Sequence, residues 1–178
     1  MKITKDIQAR LRAVQLVAMD VDGVLTDGTA LYGSDGFEGL LFNVHDGSAI
    51  KWLHRAGLRS ALITGRSVEA VRARARTLDI ELVYQGAKVK SEAYEQLLRD
   101  CGLPDGAICY VGDDLPDLPL MRRVGLAVAV ANARPEVKEA AHVVTETSGG
   151  RGAVRELVEL ILKTQGRWEE VTQRYFQP

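Results

Sequence analysis

The spacing of apolar residues predicts a chain in which buried strands alternate with helices. Short apolar runs, typical of strands covered on both faces, are separated by segments in which apolar residues recur every three or four positions. The predicted strands are 16–21, 59–64, 81–85, 107–112, 126–130 and 142–145. The predicted helices are a short leading one with Ile7, Leu11 and Val14, then 47–56, 67–78, 89–101, 115–123, 134–141 and 152–166. This alternation predicts an α/β fold, a three-layer sandwich with a mainly parallel sheet between two layers of helices.

Residues 29–43 interrupt the alternation. They contain two β-prone runs on either side of "GSDG", a pattern typical of a β-hairpin inserted after the first strand. The hairpin has an unusually apolar composition for a surface ribbon, with Leu31, Tyr32, Phe37, Leu40, Leu41 and Phe42. A lone two-stranded ribbon is only marginally stable. A cluster of six apolar side chains is also rarely left exposed to solvent. The hairpin is therefore expected to pack against another surface.

Composition narrows the classes of protein and of partner. The 178 residues suit one domain, and 46% hydrophobic with 26% charged residues is ordinary for a globular protein. The formal net charge of -1 gives no overall electrostatic attraction to nucleic acid or to a membrane surface. No apolar run reaches the ~18 residues of a membrane span, and the amino-terminal segment lacks the apolar centre of a signal peptide. Cys101 and Cys109 lack metal or redox spacing, so we expect a cytoplasmic protein with reduced thiols.

Polar residues follow the predicted strands where they end. The first strand is followed by "DVDG", the second by "TG", the third by a lysine and the fourth by "GDDLPD". The residues placed in this way are Asp20, Asp22, Thr64, Lys90, Asp113 and Asp114. The carboxyl ends of parallel strands share one edge of the sheet, where ligands bind in open α/β folds. The sequence therefore predicts one site at this edge.

These residue types suit the handling of a phosphoryl group. Asp20 and Asp22 lie two positions apart and can face the same side, where they repel one another unless a cation is present. Asp113 would add a third carboxylate, and oxygen ligands with room for water favour Mg²⁺. Lys90 offers a positive charge and Thr64 a hydroxyl, which together could hold a phosphoryl group beside a carboxylate nucleophile.

The acidic residues also allow alternatives to a catalytic site. A calcium loop fails because Val24 and Leu25 stand where it needs an oxygen ligand and a glycine. A receiver domain uses similar residues in a different chain order, with its acidic pair first. The aspartates could also serve only as turn and cap residues, and the fold could be an idle one used for binding or assembly. The complementary residues at the other strand ends disfavour both of these interpretations.

The motifs "DVDGVLTDG", "ITGR", Lys90 and "VGDDLPD" resemble the four motifs of the haloacid dehalogenase superfamily of phosphohydrolases. The resemblance implies a Rossmann-like fold in which Asp20 is the nucleophile and Asp22 the general acid and base. It implies Mg²⁺ binding by Asp20, Asp113 and the backbone carbonyl of Asp22. The remaining implied roles are phosphate binding by Thr64, Gly65 and Lys90, and orientation of the metal's waters by Asp114.

The segments "FNVHDG", "YQGAKVK" and "GGRGAVREL" resemble, more narrowly, the 3-deoxy-D-manno-octulosonate 8-phosphate phosphatases of lipopolysaccharide synthesis. The substrate-binding residues implied by this resemblance are Asp22, Asn43, Val44, His45, Asp46, Gly47, Lys51, Arg66 and Arg74. His45 and Lys51 stand where many relatives have arginine. Neither residue can donate the two parallel hydrogen bonds that a guanidinium donates to a carboxylate. A sialic-acid-type 9-phosphate and a broader range of phosphomonoesters therefore remain alternative substrates.

The chain has no room for a cap domain. Between Asp27 and Thr64 only the hairpin and one helix fit, and between Thr64 and Lys90 only a helix and a strand. We therefore expect a single, capless domain over residues 1–178 that forms a homo-oligomer, most simply a tetramer. The hairpin 29–43 and the tail 166–178 would make the contacts. The "SGGRG" segment would be either a flexible connector or a loop that brings Arg151 to an active site.

Overall fold

A computed structural model describes residues 3–176 and contains one large sheet and one small one. The strands are β1 (Leu16–Met19), β2 (Ala30–Tyr32), β3 (Glu38–Leu40), β4 (Arg59–Ile63), β5 (Leu82–Tyr84), β6 (Ile108–Gly112), β7 (Leu126–Ala129) and β8 (Val143–Val144). The helices are α1 (Lys5–Ala13), α2 (Val44–Arg55), α3 (Glu69–Leu78), α4 (Lys90–Cys101), α5 (Leu118–Met121), α6 (Pro135–Ala140), α7 (Ala153–Thr164) and α8 (Trp168–Thr172). Single 3₁₀ turns lie at Asp105–Ala107, Leu115–Asp117 and Gln173–Tyr175.

The large sheet has six parallel strands in the order β5-β4-β1-β6-β7-β8, which confirms the predicted α/β fold. β1 is central, and the order of the strands reverses there, with β4 on one side and β6 on the other. In the register, Met19 of β1 pairs with Leu62 of β4 and with Val111 of β6. The carboxyl ends of these three strands thus meet at the point where such sheets bind ligands.

Burial on both faces explains why the central strands are continuous apolar runs. All four residues of β1 are fully buried. Helix α7 packs one apolar face into the core, with buried residues at helical spacing that include Leu157, Ile161 and Leu162. Each fully buried side chain of this size stabilises the fold by roughly 1.5–3 kcal/mol. A rigid core therefore holds the ends of β1, β4 and β6 in place.

The larger differences between predicted and observed elements lie in α2, in residues 115–123 and in the tail. Helix α2 begins at Val44 rather than near residue 47, because the Asn43 side chain accepts a hydrogen bond from the His45 N–H at 2.8 Å and caps the helix. The helix predicted at 115–123 is a 3₁₀ turn followed by the short α5, and each begins near a proline. In the tail, α8 and a 3₁₀ turn form beyond the last predicted helix.

The predicted hairpin corresponds to β2 and β3, which pair antiparallel from Ala30–Leu40 to Tyr32–Glu38. The Gly33 N–H closes the turn on the Phe37 carbonyl at 2.8 Å, and Asp35 accepts a further bond from the Phe37 N–H. Within residues 3–176, no helix combines the length and the apolar character that a membrane span requires.

Candidate active site

Residues 20–28 follow β1 and form the loop that carries the predicted catalytic aspartates, here named the catalytic loop. Asp20 follows the last residue of β1, and its N–H still donates to the Val111 carbonyl of β6 at 3.0 Å. The chain then turns sharply, because the Val21 carbonyl accepts from the N–H groups of the three residues 24–26. Asp20 is 7% exposed, whereas about a quarter of the Asp22 side chain (26%) is exposed. The loop therefore presents one buried and one accessible carboxylate.

Lys90, the first residue of α4, lies between two carboxylates. Its ammonium group is 3.0 Å from Asp20 Oδ1 and 2.6 Å from Asp117 Oδ1. Burial lowers the pKa of Lys90, but the negative charges of Asp20 and Asp117 more than offset this effect and raise the pKa overall. Lys90 is therefore a permanent buried cation fixed beside Asp20.

Asp117 fixes the arrangement after β6. Its Oδ1 accepts from Lys90 and from the Tyr110 hydroxyl at 2.7 Å, and its Oδ2 accepts from the N–H groups of Asp113 and Asp114 at 2.9 and 3.2 Å. Both of its oxygens are thus engaged. By contrast, the buried Oδ1 of Asp113 has no hydrogen-bond partner within residues 3–176.

Asp20, Asp113 and Asp117 form an acidic cluster in which a hard cation could bind. Oxygens of Asp20, Asp113 and Asp117 lie within 4.8 Å of one another. Burial raises the pKa of Asp20 to about 7; Lys90 opposes this rise, and Asp117 adds to it. Burial, followed by the charges of Asp20 and Asp117, raises the pKa of Asp113 to about 7. A divalent cation on Asp20 and the unpartnered oxygen of Asp113 would relieve this repulsion.

Thr64 and Arg66 approach the same site from the end of β4. Thr64 is buried, and its hydroxyl accepts from the Arg66 N–H at 3.3 Å. The Arg66 guanidinium donates to Asp22 Oδ1 at 3.1 Å and also contacts Tyr32 and Glu38 of the hairpin. Arg66 therefore joins the catalytic loop to the hairpin, a contact that the sequence motifs do not reveal.

A cleft of about 520 Å³ opens over these strand ends. Most of the residues predicted to act there line it, namely Asp20, Asp22, Thr64, Gly65, Arg66, Lys90, Asp113 and Asp114. The structure therefore brings the predicted nucleophile, the acid, the phosphate-binding residues and the metal-binding carboxylates together in one cleft.

Asp117, which was not among the predicted residues, is buried at the site, whereas Asp114 is exposed. Asp114, predicted to orient the metal's waters, is exposed, and its side chain caps the 3₁₀ turn by accepting from the Leu115 N–H at 2.8 Å. Asp117 is fully buried and bonds to Lys90 and to the Asp113 N–H. The sequence signal was present in "GDDLPD", but which acid turns inward depends on the 3₁₀ turn.

The residues predicted to bind the sugar acid divide into two groups at the start of α2. Val44 and His45 are exposed in its first turn, while Asn43 donates from Nδ2 to the Gly150 carbonyl at 3.3 Å. Asp46 is 1% exposed and accepts from the Arg155 N–H of α7 at 2.8 Å. The Asp46 side chain therefore caps α7, and its contact with the sugar acid stays a prediction.

Gly47, Arg74 and Lys51 also have structural partners. Arg74 donates to the Asn43 carbonyl at 3.0 Å and crosses Gly47, where a side chain would overlap its guanidinium. The Lys51 ammonium pairs with Asp79, which precedes β5 at the amino edge of the sheet. Lys51 is thus paired at the edge opposite the cleft, and its contact with substrate stays a prediction. Arg151 pairs with Asp27 of the catalytic loop at 3.1 Å.

Comparison with known proteins agrees with this geometry. Residues 83–157 match the haloacid dehalogenase-like hydrolase family model. The 3-deoxy-D-manno-octulosonate 8-phosphate phosphatase KdsC of Escherichia coli strain K12 is 42% identical over 168 residues, which cover 94% of this chain and 89% of that protein.

The fold of this chain is also similar to those of solved structures. The Yersinia pestis 3-deoxy-D-manno-octulosonate 8-phosphate phosphatase has a TM-score of 0.91 at 44% identity, covering 93% of this chain and 89% of that one. The Moraxella catarrhalis phosphatase of the same name, in complex with a magnesium ion, a phosphate ion and KDO, has a TM-score of 0.93 at 38% identity, covering 98% and 99%. This chain therefore belongs to the haloacid dehalogenase-like hydrolases and, within them, to the family of 3-deoxy-D-manno-octulosonate 8-phosphate phosphatases.

Proposed function

We propose that this protein is a Mg²⁺-dependent phosphatase that hydrolyses 3-deoxy-D-manno-octulosonate 8-phosphate to the free sugar acid and phosphate in lipopolysaccharide biosynthesis. One observation carries the proposal. The Asp20 carboxylate lies at the end of the central strand, 3.0 Å from the buried Lys90 ammonium and close to Asp113, whose Oδ1 has no hydrogen-bond partner within residues 3–176. This arrangement suits a nucleophile that must approach a phosphoryl dianion beside a cation.

The reaction assigns a role to each carboxylate of the catalytic loop. Asp20 attacks phosphorus and forms an aspartyl phosphate, while the sugar oxygen leaves with a proton from Asp22. Asp22 then removes a proton from the water that attacks the aspartyl phosphate and regenerates Asp20. Its accessible side chain supports this double role, and its contact with Arg66 at 3.1 Å fixes its orientation. Thr64 and Lys90 would hold the phosphoryl oxygens.

Mg²⁺ would be held by Asp20, Asp113 and the backbone carbonyl of Asp22. When bound, it offsets the carboxylate charge and polarises the phosphoryl oxygens. Asp117 is not proposed as a ligand, because its two oxygens are engaged by Lys90, Tyr110 and two backbone N–H groups. Its proposed role is to hold Lys90 and the turn that carries Asp113.

The carboxylate of the sugar acid needs a cationic partner within reach of the cleft. Arg66 lines the cleft, and His45 is exposed in the first turn of α2, so these two residues are proposed to contact the substrate. A charge-assisted contact to a carboxylate contributes roughly 1.5–3 kcal/mol. With Lys51 paired elsewhere, the number of cations available for the sugar acid is smaller than the sequence suggested.

The test compares kcat/KM for three substrates, with Mg²⁺ and with excess chelator. We expect the highest value for 3-deoxy-D-manno-octulosonate 8-phosphate and a value about 10- to 100-fold lower for glucose 6-phosphate, which lacks the carboxylate. A preference for a sialic-acid-type 9-phosphate would establish the alternative substrate. Equal efficiency on all three, or full activity in chelator, would contradict the proposal.

The working form is proposed to be a cytoplasmic homotetramer. Apolar side chains of the hairpin and of the residues that follow it are exposed in the single chain, including Tyr32 at 73% and Leu41 at 66%. Pairing such surfaces around symmetry axes would cover them and shield the cleft without a cap domain. Cys101 and Cys109 are buried free thiols, in keeping with a reducing compartment.

A further inference from the structure

Residues 148–152, here called the GG segment, lie directly on the catalytic loop. A Cβ atom added to Gly149 would lie 2.5 Å from the Gly23 carbonyl carbon and 3.0 Å from Val24 Cα. One added to Gly150 would lie 2.9 Å from the Thr26 carbonyl oxygen, and Gly150 also has a φ of +65°. The two backbones can approach this closely only because neither glycine has a side chain.

Hydrogen bonds fix this contact on both sides of the GG segment. The Gly150 N–H donates to the Val24 carbonyl of the catalytic loop at 2.8 Å. The Gly149 N–H donates to Asn132 Oδ1 at 2.7 Å, and the Gly150 carbonyl accepts from Asn43 Nδ2 at 3.3 Å. The GG segment is therefore held between the catalytic loop and two asparagine side chains from other parts of the fold.

Neighbouring residues anchor the two ends of the GG segment. Before it, the Thr147 N–H donates to Glu156 of α7 at 2.9 Å. After it, the buried Asp46 carboxylate accepts from the Arg155 N–H in the first turn of α7 at 2.8 Å. Since α7 packs into the core, these contacts connect the GG segment to the rigid part of the protein.

We infer that the GG segment is a positioning element for Asp22, with Asn43, Asp46 and Asn132 as its supports. The catalytic loop has no regular secondary structure, so its backbone takes its position from its own turn and from the surface beneath it. Asp22 must reach the leaving oxygen of the substrate, and a displacement of about 1 Å can lower a rate by about 100-fold. The inference rests on the proposed function, because it assumes that Asp22 is the general acid.

The test uses Gly149→Ala and two substrates that differ in their need for an acid. A sugar alkoxide leaves only with a proton, whereas a weakly basic aryl oxide leaves without one. The parameter kcat/KM reports steps up to departure of the leaving group, so it excludes the later role of Asp22 as base. We expect Gly149→Ala to lower kcat/KM for the sugar-acid phosphate by about 100-fold, and for p-nitrophenyl phosphate by less than about tenfold.

Asp22→Asn is the reference and should show the same selective loss. Gly106→Ala is the matched control, since a Cβ there meets no atom within 4 Å, and both substrates should be unaffected. Asn132→Ala is a second test, which serves if Gly149→Ala fails to fold. It removes the acceptor of the Gly149 N–H and should give a smaller loss that is again larger for the sugar-acid phosphate.

Suppose that Asp22→Asn lowers kcat/KM selectively for the sugar-acid phosphate. The inference is then overturned if Gly149→Ala and Asn132→Ala lower kcat/KM equally for both substrates, or if neither variant lowers it. If Asp22→Asn itself loses equally on both substrates, Asp22 is not the acid. The proposed function then fails at this residue, and the inference fails with it.

Discussion

At the residue scale, Asp117 connects the parts of the site that carry opposite charge. It is fully buried and bonds to Lys90, to Tyr110 and to the backbone of Asp113 and Asp114. Lys90 in turn contacts Asp20 at 3.0 Å. Removing one member of a buried charged pair leaves the other uncompensated, which commonly costs about 3–5 kcal/mol. The geometry of Asp20 therefore depends on a residue that is not expected to touch substrate.

We predict that Asp117→Asn lowers kcat by about 100-fold or more and also lowers the melting temperature, because the amide presents N–H donors to groups that are themselves donors. Asp114→Asn is the matched control. The Asp114 side chain is exposed and accepts from backbone N–H groups of the 3₁₀ turn, which an amide oxygen can also do, so the activity of this variant should stay within a few-fold of wild type. Equal losses in the two variants, measured by steady-state kinetics and thermal unfolding, would contradict this assignment.

At the element scale, the amino end of α7 is held by Asp46 of α2. One Asp46 oxygen accepts from the Arg155 N–H, while the other is buried without a hydrogen-bond partner within residues 3–176. Burial is the largest influence on this carboxyl and raises its pKa above the usual 3.8 despite bonds from the α7 backbone. A group whose pKa is higher in the folded state costs stability as the pH rises above its unfolded pKa.

Asp46→Asn is therefore predicted to retain the cap and to be at least as stable as wild type at pH 7, with its advantage shrinking as the pH falls toward about 4. Asp46→Ala removes the cap and should lose about 1 kcal/mol. The free energy of unfolding in urea at several pH values measures both effects. A large loss of stability in Asp46→Asn at neutral pH would show that the charged form is needed.

At the scale of the whole molecule, the hairpin exposes an apolar face that the proposed tetramer would cover. Leu31, Phe37 and Leu41 are exposed on or beside β2 and β3, while Arg66 connects the same hairpin to Asp22. A contact that orders the hairpin would therefore also order the entrance of the cleft. This coupling links the proposed tetramer to activity.

We predict that Leu41→Glu gives monomers with poor activity, since a charge buried in an apolar interface is strongly disfavoured. Gln8→Glu adds the same charge to the exposed face of α1, far from the hairpin, and should remain a tetramer. Sedimentation velocity and kinetics distinguish these outcomes. A fully active wild-type monomer would contradict the model.

The sequence predicted the sheet and its strand ends well, because apolar runs followed by aspartate carry a local signal. It could not predict which way α2 presents its polar side chains. Asn43, Asp46 and Lys51 all lie in or next to a motif that suggested substrate contact, yet they bond to Gly150, Arg155 and Asp79. A polar residue at a helix end can serve as a cap or as a ligand, and only packing against other elements distinguishes the two.

The most direct test of the central claim is the activity of Asp20→Asn on 3-deoxy-D-manno-octulosonate 8-phosphate in Mg²⁺. Lys90 keeps Asp117 as a counter-ion at 2.6 Å when Asp20 becomes a neutral amide, so the variant should still fold. We predict that kcat falls by roughly 10³-fold or more, as expected for loss of a nucleophile. A folded Asp20→Asn protein with near-normal turnover would contradict the assignment of Asp20 as the nucleophile.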